Sequence, residues 1–190
     1  EATVADFKKK LCCGCGLCAQ VCPKKCIELC QDLEGFYYPI VDDSQCVKCG
    51  RCIQKCIKNI QRDSSLTETY VGYNLAESVR KESSSGGIFH AIASAFIDSG
   101  GVVYGAAFDG NHSVNHIRVV NKEDLLLVMK SKYVQSGLEH IFDELTEDLR
   151  KGKKVLFSGT PCEVASACQY ADTMGVREFL YTIDFICHGV

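Results

Sequence analysis

Two runs of cysteine carry most of the chemistry open to this chain. The first, C-C-G-C-G-L-C-A-Q-V-C-P, spaces Cys12, Cys15, Cys18 and Cys22 as C-x2-C-x2-C-x3-C, with Pro23 following. The second, C-V-K-C-G-R-C-I-Q-K-C, repeats that spacing with Cys46, Cys49, Cys52 and Cys56. Eight thiolates in this double register suit two [4Fe–4S] cubanes, with the fourth cysteine of each run ligating the other cluster. Three closely spaced thiolates wrap one cubane as the backbone curls around it, and the fourth lies too far along the local helix to join them. The spacing therefore predicts Cys12, Cys15, Cys18 and Cys56 for cluster I, and Cys46, Cys49, Cys52 and Cys22 for cluster II. Such a crossing holds the two clusters close together, which suits electron transfer. Zinc is the rival wherever C-x2-C occurs, but the x2, x2, x3 spacing and its repetition disfavour it.

The remaining cysteines fit the register less well. Cys13 sits where the repeat has Val47, so Cys12 is the better ligand. Cys26 and Cys30 follow the first run at i, i+4 spacing and read as small packed hydrophobes, with an extra ligand or a spare thiol as the alternative. Cys168 reads as a packed helix cysteine. Cys56 is followed by Ile57 where such ligands usually precede proline, which loosens the local turn without removing the ligand.

Composition bounds the rest. A length of 190 residues suggests one or two domains, and 46% hydrophobic content is ample for a packed core. The net charge of −3 and the lack of a basic stripe argue against nucleic acid as a partner. Charge is uneven: residues 1–60 hold 9 Lys and Arg against 7 Asp and Glu, and the remainder 12 against 17. A lysine-studded first part favours an acidic redox partner, or is simply a solvated face. Fourteen cysteines outside the cell would suggest disulfides, but four thiols on two helical turns are poorly placed to bridge. No apolar stretch approaches the roughly 20 residues of a transmembrane segment, and no leader opens the chain. A reducing, anaerobic cytoplasm is the expected location. The start at Glu1 without Met, and the stop at Val190 straight after a strand-like run, lead to the expectation of a piece of a longer chain.

The elements that must position these residues divide into a 1–62 two-cluster domain, a linker at 63–69 within the polar run 61–69, and an α/β domain over 70–190. Each half of the first is a cluster loop followed by a short helix, with a strand over 35–41 between them. In the second, the patterns predict helices over 88–97, 123–130, 138–150 and 161–170. They predict strands over 102–108, 113–120, 153–158 and 178–187, the first two forming a hairpin. Two glycine-rich junctions open helices there. Ser-Ser-Ser-Gly-Gly (83–87) offers free N–H groups to an anion such as phosphate, or is only a serine cap and a tight turn. Phe-Ser-Gly-Thr-Pro-Cys (157–162) places Cys162 near a helix N-terminus, which is expected to lower its pKa.

The set S-S-S-G-G-I-F (83–89), G-G-V-V-Y-G-A-A-F-D (100–109), S-K-Y-V-Q-S (131–136), V-L-F-S-G-T-P-C (155–162) and D-F-I-C-H-G-V (184–190) follows the double cysteine motif in order. Together they closely resemble the coenzyme F420 hydrogenase/dehydrogenase beta subunit family over roughly residues 10–190. The resemblance implies an α+β ferredoxin-like two-cluster module followed by an α/β mixed-sheet, flavin-type domain. It also implies two [4Fe–4S] clusters and FAD. Ser85, Gly86, Gly87, Lys132, Thr160 and Cys162 fall in motifs expected near the flavin, with Cys162 and His188 as catalytic candidates. Lys132 suits a phosphate or the charge that develops on a reduced flavin; otherwise it is a surface lysine beside a buried Tyr133. The implied activity is an oxidoreductase passing electrons between a ferredoxin-type partner or another subunit, the clusters and FAD. Hydride would be exchanged with a small-molecule acceptor such as coenzyme F420. The alternative is a ferredoxin-like electron carrier without flavin catalysis.

Overall fold

The computed structural model describes residues 3–60, 68–138 and 140–189. In its first part the two cysteine runs adopt the same winding. Each passes through two left-handed residues, Gly14 and Gly16 in the first run (φ 65° and 73°) and Lys48 and Gly50 in the second (φ 52° and 70°). Each then enters one helical turn, α1 at Leu17–Gln20 and α2 at Arg51–Gln54. The pseudo-repeat of the sequence is thus a repeat of backbone conformation.

Between the runs lie β1 (Ile27–Gln31) and β2 (Tyr37–Val41), paired antiparallel from Ile27↔Val41 to Gln31↔Tyr37. The expected 35–41 strand is β2. Its partner β1 goes unseen in the sequence because Cys26 and Cys30 sit at helical spacing. The turn after Cys22 overrides that spacing: Lys25 has φ 49°, which no helix admits. Asp32 closes the hairpin, its carboxylate accepting the Glu34 and Phe36 N–H groups at 3.0 and 3.2 Å.

The second part begins with α3 (Glu77–Lys81) and α4 (Ile88–Asp98), then β3 (Val102–Phe108), β4 (Val114–Val119) and the short α5 (Leu125–Val128). It continues with α6 (Ile141–Arg150), β5 (Val155–Gly159), α7 (Pro161–Met174) and β6 (Leu180–Asp184). The sheet has the order β4-β3-β5-β6, with β3–β4 antiparallel and β3–β5 and β5–β6 parallel. This is the mixed sheet expected of the α/β half. Alternation sorts its residues to two faces. Val102, Tyr104, Val155 and Phe157 pack with α6 and α7. Val103, Ala107, Val119 and Leu156 pack with α4 and α5. The helix expected over 123–130 shrinks to α5, and the final strand is β6 alone. The helix at 161–170 instead runs on to Met174, where Gly175 stops it at φ 70°.

The two parts share a core. Leu17, Val21 and Ile57 of the cysteine-rich part are buried in one apolar cluster with Phe142, Leu145, Ala167 and Tyr170 of α6 and α7. Burying a leucine or isoleucine in this way contributes about 1.5–3 kcal/mol. Residues 63–67 of the expected linker lie outside the described residues. Between α6 and the sheet, Asp148 of α6 is buried against Arg118 of β4 (2.6 and 3.0 Å), the Tyr104 hydroxyl of β3 (2.8 Å) and Lys153 (2.9 Å). Among the described residues, no helix is long and apolar enough to cross a membrane.

Candidate functional site

The winding of the two runs turns their cysteines into the walls of two separate cavities. Cavity I is lined by Cys12, Cys15 and Cys18 of the first run and by Cys56 of the second, with Leu17, Leu29 and Ile57 closing it. Cavity II is lined by Cys46, Cys49 and Cys52 of the second run and by Cys22 of the first, with Ile27 and Val41. The fourth cysteine of each run therefore stands with the other run's three. The helical turns α1 and α2 cause this: each carries its run past the loop it has just made and delivers the last thiol to its neighbour. Among the described residues no three Cys, His, Asp or Glu groups converge on a single ion. A cubane spreads its thiolates over four separate irons, so its ligands need not meet at a point.

Backbone donors point at these sulfurs. Gly14 N–H donates to Cys12 Sγ at 3.5 Å, and Lys48 N–H to Cys46 Sγ at 3.4 Å, at equivalent positions of the repeat. Burial pushes the Cys22 thiol up, but N–H groups of Cys26, Lys24 and Lys25 outweigh it and leave the thiol below its ordinary value. Burial, then the neighbouring Cys12, pushes Cys18 up to about 12. Donor type and apolar surroundings in both cavities fit a cubane, whose potential is set by such N–H···S bonds and by solvent access.

A larger cleft of about 690 Å³ opens directly beside cavity I, and Cys12, Cys13, Gly14 and Cys15 line both. Its other walls are Phe36, Tyr37 and Tyr38 at β2, residues 131–136, Thr160, Cys162 and Glu163 at the β5–α7 turn, and residues 185–189. The size and the mixture of aromatic and polar groups suit an organic cofactor. One side chain ties the walls together. Gln135 Oε1 accepts the Tyr37 N–H at 2.8 Å, and Gln135 Nε2 donates to Cys13 O at 3.3 Å. A second tie is His116, buried and stacked on Phe157 with ring centroids 5.0 Å apart. Its Nε2 donates to Ser158 O at 3.0 Å, and its Nδ1 accepts from Ser136 Oγ at 2.8 Å. Burial lowers its pKa and keeps it neutral, as this pattern requires.

Gly14 shows how closely the walls meet. A Cβ there would lie 2.1 Å from Gln135 Nε2 and 2.6 Å from Tyr37 O. Lys48, at the equivalent position of the repeat, keeps a positive φ with its side chain in solvent. Gly14 is therefore required by the approach of the Tyr37 carbonyl, with Gln135 beside it, and not by the loop alone. Gly14→Ala is expected to lower stability by about 1–3 kcal/mol, whereas Lys48→Ala changes little. Urea titrations of the two variants check this, and equal midpoints for Gly14→Ala and the parent would refute the close approach.

The structure brings Lys132, Thr160, Cys162 and His188 to the cleft wall. Lys132 Nζ donates to the carbonyls of Leu127 and Met129 at 2.9 and 2.5 Å, capping the end of α5, and burial lowers its pKa. Tyr133 beside it is exposed, not buried. Ser85, Gly86 and Gly87 lie outside the cleft, at the start of α4, where Gly87 is the N-cap with φ 76°. The neighbouring Ser84 Oγ accepts the Ser131 N–H at 2.8 Å, which joins that loop to the cleft segment.

The expectation of a lowered Cys162 pKa is overturned. Its hydrogen bond with Cys13, then burial, push the thiol up, and the Thr160 hydroxyl at 3.2 Å does not offset them. Glu163 caps the same helix end, accepting the Thr160 N–H at 2.7 Å, so a carboxylate opposes the positive end of the dipole. Cys168 packs against the shared core. Gln135 and His116 escaped the sequence reading: each is a single polar residue whose role arises from contacts far along the chain.

No protein-family model matches the chain. The NADH-quinone oxidoreductase subunit I of Pelobacter propionicus is 35% identical over 81 residues, which cover 38% of this chain and 42% of that protein. The chain thus spans less than half the length of this relative. A chain of the F420-reducing [NiFe] hydrogenase complex from Methanosarcina barkeri superimposes with a TM-score of 0.50 at 20% identity. That match covers 67% of this chain and 47% of the neighbour, and it is a likeness of fold.

Proposed function

We propose that this chain is an iron–sulfur flavoprotein oxidoreductase module, in which two [4Fe–4S] clusters exchange electrons with FAD in the cleft. The observation that carries the reading is the shared wall: Cys12, Cys13, Gly14 and Cys15 separate cavity I from the cleft. Cys12, Cys15, Cys18 and Cys56 hold cluster I against that wall, and Cys46, Cys49, Cys52 and Cys22 hold cluster II behind it. A bound flavin supplies two-electron hydride chemistry that can be divided into single electrons for the clusters. Lys132, its ammonium fixed on two carbonyls, sets one side of the cleft. Thr160 and Cys162 set the other, and His188 at the exposed rim is placed to pass a proton between solvent and the cleft. The hydride acceptor is a small soluble molecule such as coenzyme F420.

Cavity II shares no lining residue with the cleft and is rimmed by the exposed Lys24, Lys48 and Arg51. This basic rim suits an acidic redox protein or a neighbouring subunit, by electrostatic complementarity. Both similar proteins are named as parts of redox complexes, which supports such a partner.

One observation favours a second reading. The loop carrying Ser85, Gly86 and Gly87, the expected phosphate cradle, is not part of the cleft wall. A chain without flavin would be an electron carrier. Flavin and iron per chain, measured on protein from the full gene purified without oxygen, separate the two. About one flavin with two clusters supports the flavoprotein. A full iron content without flavin overturns it in favour of the carrier.

A further inference from the structure

Cavity II has one thiol too many. Besides Cys22, Cys46, Cys49 and Cys52, its wall includes Cys26, while a cubane has four irons. Cys26 is not simply packed nearby. Its Sγ lies 3.5 Å from Cys22 Sγ, and it also interacts with Cys46. The two sulfurs are offered to the same region of the cavity by different pieces of backbone. Cys22 ends the turn of α1, its N–H bonded to Ala19 O at 3.3 Å. Cys26 directly precedes β1, its carbonyl held by the Asp42 N–H at 2.8 Å. The β1–β2 pairing keeps Cys26 in place whatever happens at Cys22.

We propose that Cys26 is a reserve ligand of cluster II, able to take over the iron held by Cys22. In the exchange the Fe–S bond to Cys22 breaks and the Fe–S bond to Cys26 forms. The thiol proton of Cys26 passes to the Cys22 sulfur, and no electron is transferred. The separation of 3.5 Å between the sulfurs means that the cluster need shift little. Cys26 is the more protected of the two, buried where Cys22 is half-buried. A cluster whose outer ligand is lost or oxidised is thus retained. Cys26 is packed as expected, buried with Val4, Ile27 and Cys52, and the proposal adds a ligand role to that packing; it rests on the reading that cavity II holds a cubane.

The test measures iron, sulfide and electron paramagnetic resonance of the dithionite-reduced chain, purified without oxygen, in five variants. Cys26→Ala is expected to keep parental iron. Cys22→Ala keeps parental iron and sulfide but shifts one cluster's resonance. The double variant loses about half of the iron. If Cys22→Ala alone loses as much iron as the double variant, the reserve ligand is refuted. Cys22→Ser, a milder change for folding, must give the same pattern as Cys22→Ala. Cys49→Ala tests the underlying reading separately: parental iron there means that cavity II holds no cluster, whatever Cys22→Ala does.

Discussion

Asp148→Ala is expected to lower stability by about 2–3 kcal/mol, the linkage value of a carboxyl brought down from 3.8 to about 2 by its partners. The side chain of Asp148 is 6% exposed and accepts from Arg118, Lys153 and the fully buried Tyr104 hydroxyl. Without the carboxylate the buried phenol loses its acceptor and has little water to replace it, while the Arg118 and Lys153 cations keep partial access to solvent. The pH dependence follows from the same contacts. Burial pushes the Asp148 carboxyl up, but its bonds to Arg118, Lys153 and Tyr104 outweigh this and bring it down to about 2. A carboxyl depressed in the folded state contributes stability that is fully present above its unfolded pKa and disappears as pH falls through the folded value. The gap between parent and variant should therefore be constant above about pH 4 and close as the pH falls towards 2. Urea titrations followed by circular dichroism measure that gap. A gap unchanged across the window would mean that lost packing, not lost charge, explains the variant.

Cys56→Ala is expected to remove cluster I, although Cys56 belongs to the second run. Iron and sulfide should fall by about half, and the surviving resonance should match that of Cys12→Ala. Cys46→Ala should leave the other cluster and the other spectrum. The geometric basis is that Cys56 stands in the wall of cavity I with Cys12, Cys15 and Cys18. A residual spectrum for Cys56→Ala that matched Cys46→Ala would place the fourth thiol with its own run and end the crossed arrangement.

The expectations met their limits where distant segments meet. The C-x2-C-x2-C-x3-C spacing is a statement about a few adjacent residues, and the backbone over so short a span has few ways to wind, so the two loops could be read directly. The strands β3 and β5 were legible for a similar reason: buried on both faces, they are short continuous apolar runs bounded by turn residues. The strand β1 was not, because Cys26 and Cys30 fit two periods and only the left-handed Lys25 before them selects the extended one. The weak helix at 123–130 contracted to α5, where Lys132 caps its carbonyls from beyond its end.

The candidate site divides along the same line. Local spacing named the eight cysteines, the glycine-rich turns and the motifs around Lys132, Thr160, Cys162 and His188. It could not show that Gln135, some 98 positions from Tyr37, bonds the hairpin and the cluster loop together. Nor could it show that Cys13 meets Cys162 and raises its pKa against the helix dipole, or that Cys26 turns towards Cys22. Spacing along the chain specifies which groups a single turn gathers. Which groups face each other across a cleft depends on how α1 and residues 57–59 pack against α7, and that follows from burying Leu17, Val21 and Ile57 in a core whose other half lies a hundred residues away.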